Sequence, residues 1–209
     1  MHGTIPIKIG RVLTNLALHP QYISRCITHN LSNGKTPLDL EIPWFSYAAI
    51  DFLDEFLKPE MRVFEYGSGG STLFFASRVK SVYSAEDNAK WFELVTQRVE
   101  QKGLTNVTLT LCPFDFKNPV SFEQSAYLNA LPNERFDVIV VDGSEEWTQV
   151  RPVCFRLAES RIKPGGIIVV DDSWRYAALR EKNQARSHKI FQSVGPCRPG
   201  VTSTDIFFY

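Results

Sequence analysis

The chain has 209 residues, with 23 lysines and arginines against 23 aspartates and glutamates, so its formal net charge at pH 7 is zero. This length suits one α/β domain with a short extension and is too small for two such domains. The balanced charge supplies no long-range field that would attract nucleic acid or an anionic membrane, and we expect neither as a partner.

Membrane insertion and secretion are not expected either. The longest aliphatic runs, residues 138–141 and 167–170, have four residues each, whereas about 20 apolar residues are needed to span a bilayer. The N-terminal segment lacks the unbroken apolar core of a signal peptide. The four cysteines show no CxxC spacing, which favours reduced thiols over disulfides or a zinc site. These features predict a cytoplasmic protein with no transmembrane segment.

The first clear strand, residues 61–66, runs directly into a glycine-rich turn with the sequence MRVFEYGSGGST. Backbone N–H groups at such a turn point into open space, which suits a nucleotide-like ligand. The next predicted strand, residues 81–85, is followed by Glu86, which lies 21 residues after Glu65. This spacing is close to the roughly 20 residues at which a Rossmann-like unit holds a carboxylate against ribose hydroxyls.

The rest of the chain alternates apolar strands with helices. A helix capped by Asn88 and closed by Gly103 precedes a strand at 107–112. The further predicted elements are a short helix near 122–131, a strand at 136–141, a helix at 147–161, a strand at 167–170, a helix at 174–182 and strands at 189–194 and 204–209. The last link is too short for a helical crossover, so its strands should be antiparallel. The pattern predicts an α/β, Rossmann-like fold: a seven-stranded, mostly parallel sheet with helices on both faces and an antiparallel C-terminal strand pair.

Several motifs resemble class I S-adenosylmethionine-dependent methyltransferases. In chain order they are EYGSGGST, the acidic strand end SAED, the strand FDVIVVDG, the turn KPGG before IIVVDD, and the closing strand pair. A dinucleotide-binding domain would carry a third glycine where this chain has Thr72. The resemblance covers roughly residues 41–209. It implies that residues 46–209 form an S-adenosylmethionine-binding domain and that residues 1–45 form a helical extension, which could act as a substrate lid.

The resemblance also implies a set of residues that bind S-adenosylmethionine. Small residues in the turn would let the methionine part of the cofactor approach the backbone, Glu86 would bind the ribose, and Asp115 would flank the adenine. The full set is Glu65, Gly67, Ser68, Gly69, Gly70, Ser71, Glu86, Asp115, Asp142 and Gly143.

Three carboxylates follow the fourth and fifth strands, where ligands bind in open α/β sheets. This pattern is similar to the magnesium-dependent catechol-type O-methyltransferases, although those have Asp-Asn where this chain has Asp171-Asp172. The similarity implies Asp142, Asp171 and Asp172 as Mg²⁺ ligands, with Asp142 and Asp171 also catalytic. The alternative is that Asp171 and Asp172 only cap the following helix.

The expected reaction is methylation of a small-molecule acceptor, at oxygen rather than nitrogen. The chain has no NPPY-like tetrapeptide of the kind associated with methylation of amino groups on bases and glutamine. Two alternatives remain open. The chain could be a methyltransferase-like binding domain without turnover, because no catalytic base is assured, or a nicotinamide-dependent oxidoreductase.

Overall fold

The computed structural model describes residues 5–31 and 34–209, and its centre is one seven-stranded sheet. The strands are β1 (Arg62–Tyr66), β2 (Ser81–Glu86), β3 (Val107–Leu111), β4 (Phe136–Val141), β5 (Ile162–Val170), β6 (Ser187–Val194) and β7 (Val201–Phe208). Their order across the sheet is β3-β2-β1-β4-β5-β7-β6. Strands β1 to β5 run parallel, whereas β7 is antiparallel to both β5 and β6. The predicted fold class and C-terminal strand pair are confirmed.

The helices lie before the sheet and in its crossovers. They are α1 (Ile5–Leu18), α2 (Ile23–Leu31), α3 (Pro37–Leu40), α4 (Tyr47–Phe56), α5 (Gly70–Ala76), α6 (Ala89–Gln101) and α7 (Val150–Glu159). Asn88 caps α6 as predicted, because its side chain accepts the N–H of Trp91 at 3.0 Å. None of the helices in the described part of the chain has the length and apolarity that a membrane crossing requires.

Two predicted helices are replaced by short 3₁₀ turns. The segment predicted as a helix at 122–131 overlaps the turns Pro119–Gln124 and Leu128–Ala130, and the one at 174–182 overlaps Ser173–Arg175 and Ala177–Arg180. In the second case Ser173 and Arg180 both bind the carboxylate of Asp205 on β7, at 2.7 and 2.6 Å. These tertiary contacts outweigh the local helix preference of the segment.

The central strands are buried on both faces, as their continuous apolar sequences predict. Phe64 and Ile139 belong to one core cluster, which includes Phe155 of α7. Val138 and Val169 belong to the cluster on the other side, which includes residues of α4 and α5. The sheet therefore holds its strand ends rigidly between two helical layers.

The segment before the sheet packs directly on the glycine turn. A Cβ atom at Gly70 would lie 2.2 Å from the carbonyl oxygen of Ile42 and 2.3 Å from that of Pro37. Gly70 is thus required by the packing of the chain on itself, and not only by the approach of a ligand. The domain boundary at residue 45 and the lid role of residues 1–45 stay predictions.

We predict that Gly70→Ala destabilises the protein by about 3 kcal/mol, because the new methyl group overlaps two backbone carbonyls. Urea unfolding followed by circular dichroism measures the change. Gly10→Ala in α1 is the matched control, since open space surrounds that position and alanine raises helix propensity by about 1 kcal/mol. Equal stability of the Gly70→Ala variant and the wild type would contradict this packing.

Candidate active site

A cavity of about 650 Å³ lies at the carboxyl ends of β1, β2, β4 and β5. Its lining comprises residues 67–71, 86–87, 142–145 and 171–172, together with Thr36, Pro37, Trp44, Trp91, Arg151 and Arg198. Eight of the ten residues predicted to bind the cofactor therefore line one space. The two exceptions are Glu65 and Asp115.

The glycine turn is held between β4 and α6. Gly67 has a φ of +92°, and a Cβ atom there would lie 2.9 Å from the carbonyl oxygen of Asp142. The indole N–H of Trp91 donates to the carbonyl oxygen of Ser68 at 2.6 Å. These contacts fix the turn as one wall of the cavity.

Glu86 is the last residue of β2, and its carboxylate contacts the glycine turn. It is 5% exposed, and one carboxylate oxygen accepts from the Ser68 N–H at 2.9 Å and from the Ser68 hydroxyl at 2.7 Å. The other oxygen accepts the Asn88 N–H at 3.0 Å. Burial raises the pKa of Glu86, while these hydrogen bonds oppose the rise. The first oxygen thus accepts two donors and the second accepts one, so the second retains capacity for a further donor.

Glu65 lies beneath the turn and does not line the cavity. Its carboxylate accepts the hydroxyls of Ser71 at 2.8 Å, Ser84 at 2.6 Å and Thr72. Burial raises the pKa of Glu65 to about 7. Thr72, which replaces the third glycine, also accepts the Gly69 N–H at 3.0 Å, so this acid and threonine together support the turn.

Asp115 is also outside the cavity lining. Its carboxylate accepts the N–H of Lys117 at 3.1 Å within an exposed loop. The structure thus gives no geometric support for Asp115 beside an adenine ring.

Arg151 of α7 joins the ends of β4 and β5. It is 3% exposed. Its guanidinium donates to the carbonyl oxygen of Gly143 at 2.9 and 3.2 Å and to that of Asp171 at 2.7 Å. It also pairs with the carboxylates of Asp142 at 3.2 Å and Glu145 at 3.3 Å. One buried cation thereby orders the acidic side of the cavity.

The three aspartates have different surroundings. Burial raises the pKa values of both Asp142 and Asp171, and Asp171 accepts the hydroxyl of Thr204 at 2.6 Å. Burial would also raise the pKa of Asp172, but the Arg198 guanidinium, at 3.2 Å, and the Thr202 hydroxyl hold it below its usual value. Asp142 keeps 26% of its side chain exposed, against 2% for Asp171.

The predicted magnesium site is not supported. Over residues 5–31 and 34–209, no group of three or more His, Cys, Asp or Glu side chains is arranged to hold a metal ion. Asp142 pairs with Arg151, and Asp172 pairs with Arg198. The two guanidinium groups already supply the positive charge beside these carboxylates. The residues therefore do not fit Mg²⁺.

Sequence reasoning missed both arginines and Trp91, whereas Trp44 lies in the segment expected to act as a lid. A signal for Arg151 exists in the sequence: it shares the helical face of Cys154, Phe155 and Ala158, all of which are buried. A charged residue on such an apolar face indicates a specific buried partner. Arg198 lies in a Pro- and Gly-rich link, and no local pattern marks it.

The glycine turn, the buried acid that ends β2 and the antiparallel strand pair define a class I S-adenosylmethionine-dependent methyltransferase. The sequence profile described as "Methyltransferase domain" matches residues 64–173. This match covers more than half of the chain, and the chain belongs to that family. The nicotinamide-dependent alternative finds no support.

Solved structures share the fold at low sequence identity. The O-methyltransferase TomG from Streptomyces achromogenes, involved in tomaymycin synthesis and solved with S-adenosylmethionine, is 15% identical with a TM-score of 0.62, over 90% of this chain and 97% of that one. An O-methyltransferase from Bacillus cereus, solved with S-adenosylhomocysteine, is 16% identical with a TM-score of 0.58, over 94% and 91%. An rRNA methylase from Streptococcus thermophilus is 18% identical with a TM-score of 0.56, over 85% and 99%. No curated protein matches the chain.

We predict that Glu65→Gln removes part of the pH dependence of stability. The unfolded chain releases this proton near the ordinary pKa of 4.5, whereas the folded protein keeps it until about pH 7. The unfolding free energy of the wild type therefore falls as the pH rises through this window, by at most about 3 kcal/mol from this group. In the variant this decrease should be absent.

Urea unfolding at pH 4.5 and pH 7.5 measures the difference. Glu100→Gln, at an exposed position of α6, is the control and should keep the wild-type pH dependence. Identical pH profiles for Glu65→Gln and the wild type would refute the role given to burial.

Proposed function

We propose that the 650 Å³ cavity binds S-adenosylmethionine and that the enzyme transfers its methyl group to an oxygen of a small-molecule acceptor. The observation that carries the proposal is that one cavity brings together the glycine turn, the buried acid Glu86 and the partly exposed carboxylate of Asp142. The cavity volume lies within the roughly 300–1,000 Å³ typical of small-ligand sites.

In this arrangement Glu86 accepts a ribose hydroxyl on the oxygen that also binds Asn88, and residues 67–71 lie along the methionine part of the cofactor. The sulfonium and ammonium groups of the cofactor are cations. The cavity lining includes six carboxylates, Glu86, Asp87, Asp142, Glu145, Asp171 and Asp172, against the two arginines. This acidic excess favours a cationic donor. Glu65 acts from beneath by fixing the turn.

Transfer requires the acceptor oxygen to attack the methyl carbon while the carbon–sulfur bond breaks and the hydroxyl proton leaves. Asp142 is the proposed base, because it is partly exposed at the cavity and burial moves its pKa towards neutrality, where a base is most effective. Asp171, which was also predicted to be catalytic, is almost fully buried and bound to Thr204. We assign it to positioning the end of β5. Alignment of the two substrates supplies the remaining acceleration.

The fold does not distinguish among acceptors, since the similar structures include O-methyltransferases and an rRNA methylase. The charge of the cavity favours a small molecule. A nucleic-acid acceptor would bring phosphate groups against an acid-rich lining, and the chain as a whole has no net positive charge. The cytoplasmic location stays a prediction.

We predict that Asp142→Asn lowers the rate of hydroxyl methylation by about 10²–10⁴-fold, the usual contribution of a general base. In the wild type, kcat/KM should rise with pH as Asp142 ionises and level off above its raised pKa, and the variant should lack this limb. Methyl-labelled S-adenosylmethionine with a panel of phenols and alcohols provides the assay.

Glu146→Gln is the matched control, because Glu146 is the exposed neighbour outside the cavity lining. It should keep the wild-type rate and pH profile. Transfer of the label to amines or to rRNA, with none to hydroxyl compounds, would contradict the proposed acceptor.

A further inference from the structure

Exposed apolar side chains are concentrated in the two N-terminal helices, α1 and α2. Among the described residues ten large hydrophobic side chains are exposed, and five of them belong to these helices: Ile9, Leu13, Leu18, Ile23 and Ile27. Ile9 and Leu13 are four positions apart, as are Ile23 and Ile27, so each pair lies on one face of its helix. Clustered apolar side chains on a protein surface are characteristic of an interaction site.

The same segment is positively charged, although the chain as a whole has no net charge. Residues 1–38 contain Lys8, Arg11, Arg25 and Lys35 and no aspartate or glutamate. The remainder of the chain therefore holds 19 lysines and arginines against 23 aspartates and glutamates. The overall balance thus combines a basic N-terminal segment with an acidic remainder. At physiological salt a surface responds to the charges within about 8 Å, so this local excess matters to a partner in contact with it.

A groove of about 640 Å³ lies between α1, α2 and the link that joins β6 to β7, and it presents positive charge without negative charge. Its lining includes the exposed Lys35 and also Arg198, which pairs with Asp172 at 3.2 Å. None of the described residues that line it is an aspartate or glutamate. Burial lowers the pKa of His29 and raises those of the two groove cysteines, so these groups are uncharged at neutral pH. Arg25 pairs with an acid of α4 and contributes less to the field.

Two features favour a lipid surface over a protein as the partner of these helices. The exposed large apolar side chains of α1 and α2 are all isoleucine or leucine, whereas the buried centre of a protein interface is enriched in aromatic residues, methionine and arginine. A symmetric dimer through this face would place the cations of one copy against those of the other, which is unfavourable. Helices that combine apolar residues with lysine and arginine bind at the surface of anionic bilayers.

We propose that α1 and α2 dock the protein on the surface of an anionic lipid bilayer. Ile9, Leu13, Ile23 and Ile27 enter the boundary between headgroups and acyl chains, and Lys35 together with the other cations of the segment meets the lipid phosphates. The contact is peripheral, because the two helices have 14 and 9 residues, whereas about 20 apolar residues are needed to span a bilayer. The proposal concerns where the enzyme works and does not depend on its methyl acceptor.

Vesicle flotation tests the proposal with phosphatidylcholine vesicles and with vesicles made of equal parts of phosphatidylcholine and phosphatidylglycerol. The wild type should bind the anionic vesicles at least tenfold more tightly, and added salt should weaken this binding by screening. Lys35→Gln should weaken it about fivefold, the contribution of one cation at an anionic surface. Leu13→Glu should weaken it at least tenfold, because a carboxylate replaces an apolar side chain at the lipid boundary.

Lys117→Gln and Leu94→Glu are the matched controls, since both replace exposed residues of the same types. They lie in the loop after β3 and on α6, and β3 forms the edge of the sheet opposite β6. The N-terminal helices lie at the β6 edge, where the Val194 N–H donates to Asn15 of α1 at 3.0 Å. Both controls should bind vesicles as the wild type does. Circular dichroism establishes that every variant is folded.

No binding to the anionic vesicles, equal binding to both kinds of vesicle, or binding that Leu13→Glu or Lys35→Gln leaves unchanged would overturn the proposal. Sedimentation that shows a wild-type dimer dissociated by Leu13→Glu would also overturn it, because the surface would then hold a second copy of the chain. These measurements involve no methyl transfer, so their failure would leave the proposed function intact.

Discussion

The active site depends on one buried cation. Arg151 projects from α7 and binds the carbonyl oxygens of Gly143 and Asp171, which follow two adjacent strands. It also balances the negative charge of carboxylates whose ionised form burial would otherwise make unfavourable. Breaking such a buried ion pair typically costs about 3–5 kcal/mol. Without this cation, the acids that end β4 and β5 would repel one another at the edge of the sheet. The same guanidinium therefore supports both the fold at this edge and the ionisable groups of the cavity.

Part of the N-terminal segment contacts the glycine turn and lines the cavity. Residues 37–42 contact Gly70 so closely that no side chain fits there, and Trp44 reaches the cavity beneath Arg198. Arg198 in turn comes from the link between the antiparallel strands. Segments far apart in sequence thus enclose the space above the parallel strand ends. In general, function resides in sites grafted on a common fold.

Local physics explains which features could be predicted. The continuous apolar pattern of FDVIVV depends on neighbouring residues, so it indicates a buried strand directly. The spacing between Glu65 and Glu86 indicates two acids on consecutive strands, of which Glu86 lines the cavity; its binding of ribose stays a prediction. The helix expected at 174–182 failed because Arg180 pairs with a carboxylate on β7, which no local pattern reveals. The Mg²⁺ site was predicted from the aspartates alone, and the arginines that pair with them were not recognised. Arg198 comes close to Asp171 and Asp172 only through folding of the C-terminal strand pair.

The most direct test of the cofactor site is calorimetry with S-adenosylmethionine on the wild type, Glu86→Gln and Glu93→Gln. Glu86 is buried at the cavity, whereas Glu93 is an exposed position of α6. We expect the wild type and Glu93→Gln to bind with equal affinity and Glu86→Gln to bind at least tenfold more weakly, since it loses a charge-assisted hydrogen bond to the ribose. No binding by folded wild-type protein, or unchanged affinity in Glu86→Gln, would contradict this site.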